Sequence, residues 1–155
     1  RGAQEKSLVV VATECIGKQI GRVRFKIIFD ASKENLIPFI EENIIHGSTV
    51  ITDGWSGYAS LSQTKEYEHI EKVISGSGKK AHELLPHVHM VDSLVKRWIN
   101  GTHQGKISPK HLEYYLDEFA FRFNRKLSTH RGKLFYRLMQ QAVTTSSVTY
   151  NEIIK

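Results

Sequence analysis

A carboxylate closes a short β-branched run in STVITDGWSGY (48–58): Val50, Ile51 and Thr52 lead into Asp53, and Gly54 turns the chain. The carboxyl edge of a sheet is where α/β folds gather their chemistry, so Asp53 reads as a candidate ligand rather than a packing residue. Cleaving a phosphodiester with two metal ions needs hard oxygen ligands on separate elements, converging so that two Mg²⁺ lie about 4 Å apart. A second set of groups follows in VHMVDSLVKRWING (88–101). There His89, Asp92 and Lys96 stand three and four residues apart, which on a helix puts them on one face. A metal ligand beside a cation suits a site that handles a phosphate backbone. The same spacing also describes an ordinary solvated Asp92–Lys96 pair, worth about 0.2–0.5 kcal/mol.

Other groups narrow the chemistry. His87 and His89 would share a side on a strand, but on a helix after Pro86 they diverge by about 200°, which argues against a structural zinc. His82, His103 and His111 are too scattered to complete one. The loop SGSGKK (75–80) lacks the G-x-x-x-x-G-K-[ST] spacing of a nucleotide cradle and reads as a solvated basic loop or a backbone-phosphate contact. Cys15 is the sole cysteine, so disulfides and thiolate zinc sites within one chain are excluded, as suits a reducing cytosol.

The formal charge is +6 and the pI about 9.4, a balance that favours polyanionic partners, nucleic acid first. Two stretches concentrate that charge. KRWINGTHQGKISPKH (96–111) carries Lys96, Arg97, Lys106 and Lys110, with Thr102, His103 and Gln104 as phosphate donors, and Gly101, Gly105 and Pro109 keep it irregular. RFNRKLSTHRGK (122–133) adds five more, Arg122 and Arg125 among them. Either stretch would give salt-dependent, sequence-independent DNA affinity.

Positioning such groups needs a scaffold, and the chain supplies one at 155 residues, enough for a single domain with a real core. SLVVVAT (7–13) predicts a buried strand. GKQIGRVRFKIIFD (17–30) predicts a turn and a second strand, with Val23, Phe25 and Ile27 alternating against Arg22, Arg24 and Lys26; the two make an antiparallel hairpin. SKENLIPFIEENIIHG (32–47) shifts to helical spacing, capped by Ser32 or Asn35 and stopped by Gly47; Pro38 fits if the helix starts at Asn35. STVITD (48–53) is the next strand, WSGYASLSQ a short helix or loop, and YEHIEKVI (67–74) another strand. From Pro86 the pattern is helical, over 88–101, 108–126 and 133–143. The stripe Leu112, Tyr115, Leu116, Phe119 and Phe123 predicts core rather than a base-stacking platform. Residues 1–155 read as one domain with 102–155 as a helical extension, and no apolar run approaches the roughly 20 residues of a membrane helix. One more strand in front would complete an α/β, ribonuclease H-like mixed sheet with flanking helices, and Asp53 would end its fourth strand. The abrupt opening RGAQEKSLVVVATE reads as a fragment of something longer.

With these residues in view the chain resembles a known group. GSTVITDGWSGY, LVKRWINGTHQGKISPKHLEYYLDEFAFRFNRK and the RGKLFYRL tail are similar to bacterial insertion-sequence transposases of the ISXO-like group, in the DDE superfamily. The resemblance implies two Mg²⁺ or Mn²⁺ ions, and hydroxyl-driven cleavage and strand transfer at transposon ends. DNA ends and target are the implied partners, in the bacterial cytoplasm at the nucleoid, and cutting two ends calls for a homodimer or larger assembly. By position, Asp53 matches the second acidic residue and Lys96 the helical cation. The third ligand position, seven residues before that cation, is then His89, with Asp92 in reserve. An imidazole there is a softer ligand than the usual carboxylate. The family's first acid belongs on a strand before SLVVVAT, and Glu14 and Asp30 lie on the wrong strands to replace it. The expectation is therefore an amino-terminally truncated core, inactive alone, with open strand edges beside the gap. The alternative is a DNA-binding or regulatory module with the same fold and no chemistry; a stand-alone structure-selective nuclease is a third reading.

Overall fold

The computed structural model describes residues 7–73, 78, 80–105 and 107–154. The opening residues 1–6, Lys106 and most of the SGSGKK loop lie outside them.

Two strands, β1 (Leu8–Ile16) and β2 (Gln19–Ile28), form the expected antiparallel hairpin around Gly17, whose φ of 60° is the left-handed conformation a tight turn uses. Pairing runs from Leu8↔Ile28 to Thr13↔Val23 and then slips at a bulge before Cys15. Glu14, in that slip, folds back over Gly21 and accepts the Arg22 N–H at 2.8 Å, so this acid serves the hairpin. Alternation gives the sheet two working faces. Val10, Ala12 and Ile28 face one core, and Val9, Val11, Val23, Phe25 and Ile27 face another.

The first core is closed by helix α1 (Lys33–Asn43), which buries Leu36, Phe39 and Ile40. Its start follows Ser32, the first of the two caps read from the sequence, and not Asn35, the start that would have suited Pro38. Asp30 accepts the Ser32 N–H and the Asn35 side-chain N–H, both at 2.9 Å, which organises a first turn two residues before Asn35. Pro38 consequently lies inside the helix, where it lacks the N–H that would have met the Glu34 carbonyl. The helix also ends earlier than expected, at extended Ile44, leaving Gly47 (φ 82°) to turn the chain afterwards.

Strand β3 (Thr49–Thr52) pairs in parallel with β4 (Glu68–Glu71), from Thr49↔Glu68 to Thr52↔Glu71. The crossover between them is a 3₁₀ helix, Ser56–Gln63, whose Leu61 seals the first core. The architecture is thus mixed α/β with two small sheets. Among the described residues no strand joins the antiparallel pair to the parallel one, so in place of the single mixed sheet of the sequence reading there are two separate two-stranded sheets.

Helices α2 (Ala81–Leu84), α3 (Pro86–Thr102) and α4 (Leu112–Phe123) come next, α4 after a 3₁₀ turn at Pro109–His111. Val91 and Val95 of α3 and Leu116 of α4 meet Val23, with Phe119 and Phe123 alongside, so the aromatic stripe is core as expected. Asn124, just past α4, accepts the Val23 N–H at 2.7 Å and donates to the Val23 carbonyl at 3.0 Å. One carboxamide thereby supplies Val23, on the outer edge of β2, with both bonds a neighbouring strand would have made there.

The chain divides into two compact units, residues 1–124 and 125–155. The second holds helices α5 (Arg131–Thr144) and α6 (Tyr150–Ile154). Phe135, Tyr136, Leu138, Met139 and Val143 of α5 are all exposed. No helix among the described residues is long and apolar enough to cross a membrane.

Candidate active site

Asp53 is the first residue past β3, exposed at the carboxyl edge of the parallel pair. Its Oδ1 accepts the Trp55 N–H at 3.1 Å, and Gly54 (φ 77°) makes the turn, with the Val73 side chain packed against it. Trp55 anchors the start of the 3₁₀ helix by donating its indole N–H to the Ala31 carbonyl at 2.7 Å. At Gly57 a Cβ would collide with that carbonyl and with Leu36, so the segment lies tight on the start of α1. Tyr58 completes the surroundings: burial first, and the Asp53 carboxylate second, raise its phenol above the usual range. This is a fixed carboxylate on an exposed edge, with one oxygen engaged by the backbone.

His89 lies in the first turn of α3, and Asp92 and Lys96 stand further along that helix. A bond from Lys72 N–H to the Thr52 carbonyl (2.9 Å) closes the parallel ladder just after the Thr52↔Glu71 pair, and the Lys72 ammonium reaches the Leu84 carbonyl at 3.3 Å. These bonds tie the end of α2 to the strand edge that leads into Asp53. Lys96 makes a 2.7 Å ion pair with Asp92, both substantially exposed, which is the solvated i, i+4 pair that the spacing also allowed. His87 and His89 share a helix and diverge; the His87 ring stands 3.3 Å from the Cys15 thiol on β1. Among the described residues no three His, Cys, Asp or Glu side chains gather where they could hold a metal ion. Asp53 offers a hard oxygen, but the described residues do not complete a metal site.

The residues expected to contact DNA are distributed. Arg97 and Thr102 are exposed on α3, and Lys110 is exposed in the 3₁₀ turn. Arg122 is exposed and paired with Glu118 at 3.1 Å. His103 is packed instead: its ring lies 4.9 Å from Trp98 and 4.3 Å from Tyr115, with Nε2 buried and unpartnered among the described residues. Arg125 opens the second unit, where it lines a hollow of ≈ 420 Å³ with Arg137, Gln140, Gln141 and Thr144 and no carboxylate. Lys106 lies outside the described residues.

Two polar residues escaped the sequence reading. Asn124 was hidden because an Asn after a helix ordinarily signals only a cap. His69 lies on β4 within E-H-I-E, and its ring is buried against Thr52, immediately before Asp53. Only the alternation of that short strand hinted that His69 points inward.

Comparison with curated proteins and with solved structures gives no match. A family model, described as the ISXO2-like transposase domain, matches residues 1–124. That span covers Asp53 and its turn, the helix carrying His89 and Lys96, and the carboxamide that seals β2. The chain belongs to the ISXO2-like transposase family.

Proposed function

We propose that this chain is the catalytic core of a DDE-type transposase that cuts and joins phosphodiesters at insertion-sequence ends, on a ribonuclease H-like framework. The observation that carries the reading is Asp53: an acid fixed by a backbone turn at the carboxyl edge of parallel β3, within the family match. Family membership implies DNA as the partner. Asp53 and His89 are the ligands this chain contributes to a Mg²⁺ or Mn²⁺ pair. Bound, such ions would activate a hydroxyl and stabilise charge on the phosphate. Lys96 holds a backbone phosphate near the cut, exchanging its Asp92 partner for DNA; an exposed pair of this kind is worth only about 0–1 kcal/mol, so the exchange costs little. Arg97, Thr102, Lys106, Lys110, Arg122 and Arg125 add sequence-independent grip. A dimer is the smallest assembly that presents one site to each end.

The test is Asp53→Asn in the full-length protein. Cleavage is lost while DNA affinity is kept; cutting at the wild-type rate would remove Asp53 from the site. Lys96→Ala weakens or misplaces end binding, and unchanged activity would return Lys96 to a simple solvated pair. A second reading is a DNA-binding module without chemistry, since among the described residues no three potential metal ligands gather. DNA binding indifferent to Asp53→Ala, together with no Mn²⁺ binding that depends on Asp53, supports that reading.

A further inference from the structure

Beneath the Asp53 turn lies a buried histidine to which the proposed chemistry gives no role. His69 stands opposite Val50 in the parallel pair, and its side chain is 1% exposed. Both ring nitrogens are engaged: Nε2 lies 2.9 Å from Thr52 Oγ1 and Nδ1 lies 2.7 Å from Ser62 Oγ. The Glu71 carboxylate stands 3.7 Å from Nδ1. Thr52, itself buried, also accepts the Gly54 N–H at 3.4 Å, and the next residue, Asp53, accepts the Trp55 N–H at 3.1 Å. Two successive side-chain-to-backbone bonds therefore hold the turn that presents the carboxylate. An apolar side chain could fill the space of His69 without desolvating two ring nitrogens.

Proton placement gives the cluster a direction. A neutral imidazole has one donor and one acceptor nitrogen. The negative charge of Glu71 beside Nδ1 favours the proton there, leaving Nε2 to accept. The one hydrogen of the Thr52 hydroxyl then points to Nε2, and its lone pairs face the Gly54 N–H. Without the imidazole that hydroxyl is a free rotor.

We propose that His69 is the positioning residue for Asp53: by fixing the Thr52 hydroxyl it holds the Gly54 turn and sets where the carboxylate stands. The proposal takes its purpose from the reading of Asp53 as a metal ligand, but the bonds it names exist without metal or DNA.

The experiment uses the ¹⁵N-labelled chain, metal-free and DNA-free. Two-bond ¹H–¹⁵N spectra of the unmodified chain read the His69 tautomer; Nδ1–H is expected, and Nε2–H would overturn the proposal with no substitution needed. Amide hydrogen exchange then reads the turn. In His69→Asn the amide reaches toward Ser62 but not Thr52, whereas in His69→Gln it reaches Thr52. Losing the bond to Thr52 makes the Gly54 and Trp55 amides of His69→Asn and Thr52→Val exchange about tenfold faster, while His69→Gln stays within about twofold of wild type. Amides of the β1–β2 hairpin keep their wild-type rates. Equal acceleration in Asn and Gln variants, or none in any, would show that His69 only fills space. Because no step is catalytic, a failed Asp53→Asn cleavage test leaves this result standing, and the converse holds.

Discussion

Residues 1–124 and 125–155 are built on different balances. The first span holds 16 of the 22 Lys and Arg residues and 15 of the 16 acids, so it is nearly neutral. The last 31 residues hold six bases and one acid, Glu152, and therefore five of the six net positive charges. Packing divides the same way: every buried hydrophobic among the described residues lies at or before Leu116, while Leu127, Phe135, Tyr136, Leu138 and Met139 stay exposed. The family match ends at 124. The first region spends its apolar surface on two cores that aim a carboxylate. In the second, net charge and uncovered apolar side chains are the dominant features. Charge and chemistry need not share a location, so a basic pI read over the whole chain said little about the part that carries Asp53.

Four experiments sharpen or break this contrast. The largest effect is expected in the first core, where Phe39 is 2% exposed: Phe39→Ala lowers stability by about 3–5 kcal/mol in chemical denaturation. Phe135, 67% exposed, changes to Ala at a cost of about 0.5 kcal/mol or less, and an equal loss at both sites would abolish the distinction. Asn124→Ala leaves the Val23 N–H and carbonyl without their partner and costs about 2 kcal/mol, read as a fall in Tm. In DNA binding, Arg125→Gln and Arg137→Gln each flatten the slope of log affinity against log salt by about 0.9 for each phosphate no longer neutralised. A slope that moves only when Arg97 or Lys110 is changed would confine the DNA grip to the first region.

The smallest effect concerns acid. Hydrogen bonds from Ser32, then Asn35, hold the Asp30 carboxyl below its ordinary range. A carboxyl lowered in this way stabilises the fold above its unfolded pKa of about 3.9, and that contribution fades as pH falls below it. Asp30→Asn should therefore be less stable than wild type at neutral pH, with the gap closing in acid. A gap that persists at low pH would mean that the Asp30 hydrogen bonds do not depend on its charge.

Much of the scaffold was legible because it is written in local alternation and spacing. Val23, Phe25 and Ile27 against Arg22, Arg24 and Lys26 gave the second strand, and the run from Leu112 to Phe123 gave a core helix. Helix ends were less legible. Asp30, outside the helical pattern, settled the start of α1 after Ser32 rather than at Asn35 through its hydrogen bonds, and Pro38 was carried inside as a result. At the candidate site the sequence picked out Asp53 from its place after a β-branched run, and put His89, Asp92 and Lys96 on one face.

By itself, then, the sequence determined the elements, the acid at the strand edge, and the family strings, since each depends on residues within about ten positions of one another. Tertiary structure alone decided that Asn124 stands in for a strand beside Val23 and that His69 reaches under the Asp53 turn. The Asn124 bond spans 101 residues and the His69 bond 17, and a spacing rule cannot anticipate partners that only folding brings together. Even the i, i+4 pair, which spacing allowed, competed with a ligand role that only the packed chain could weigh.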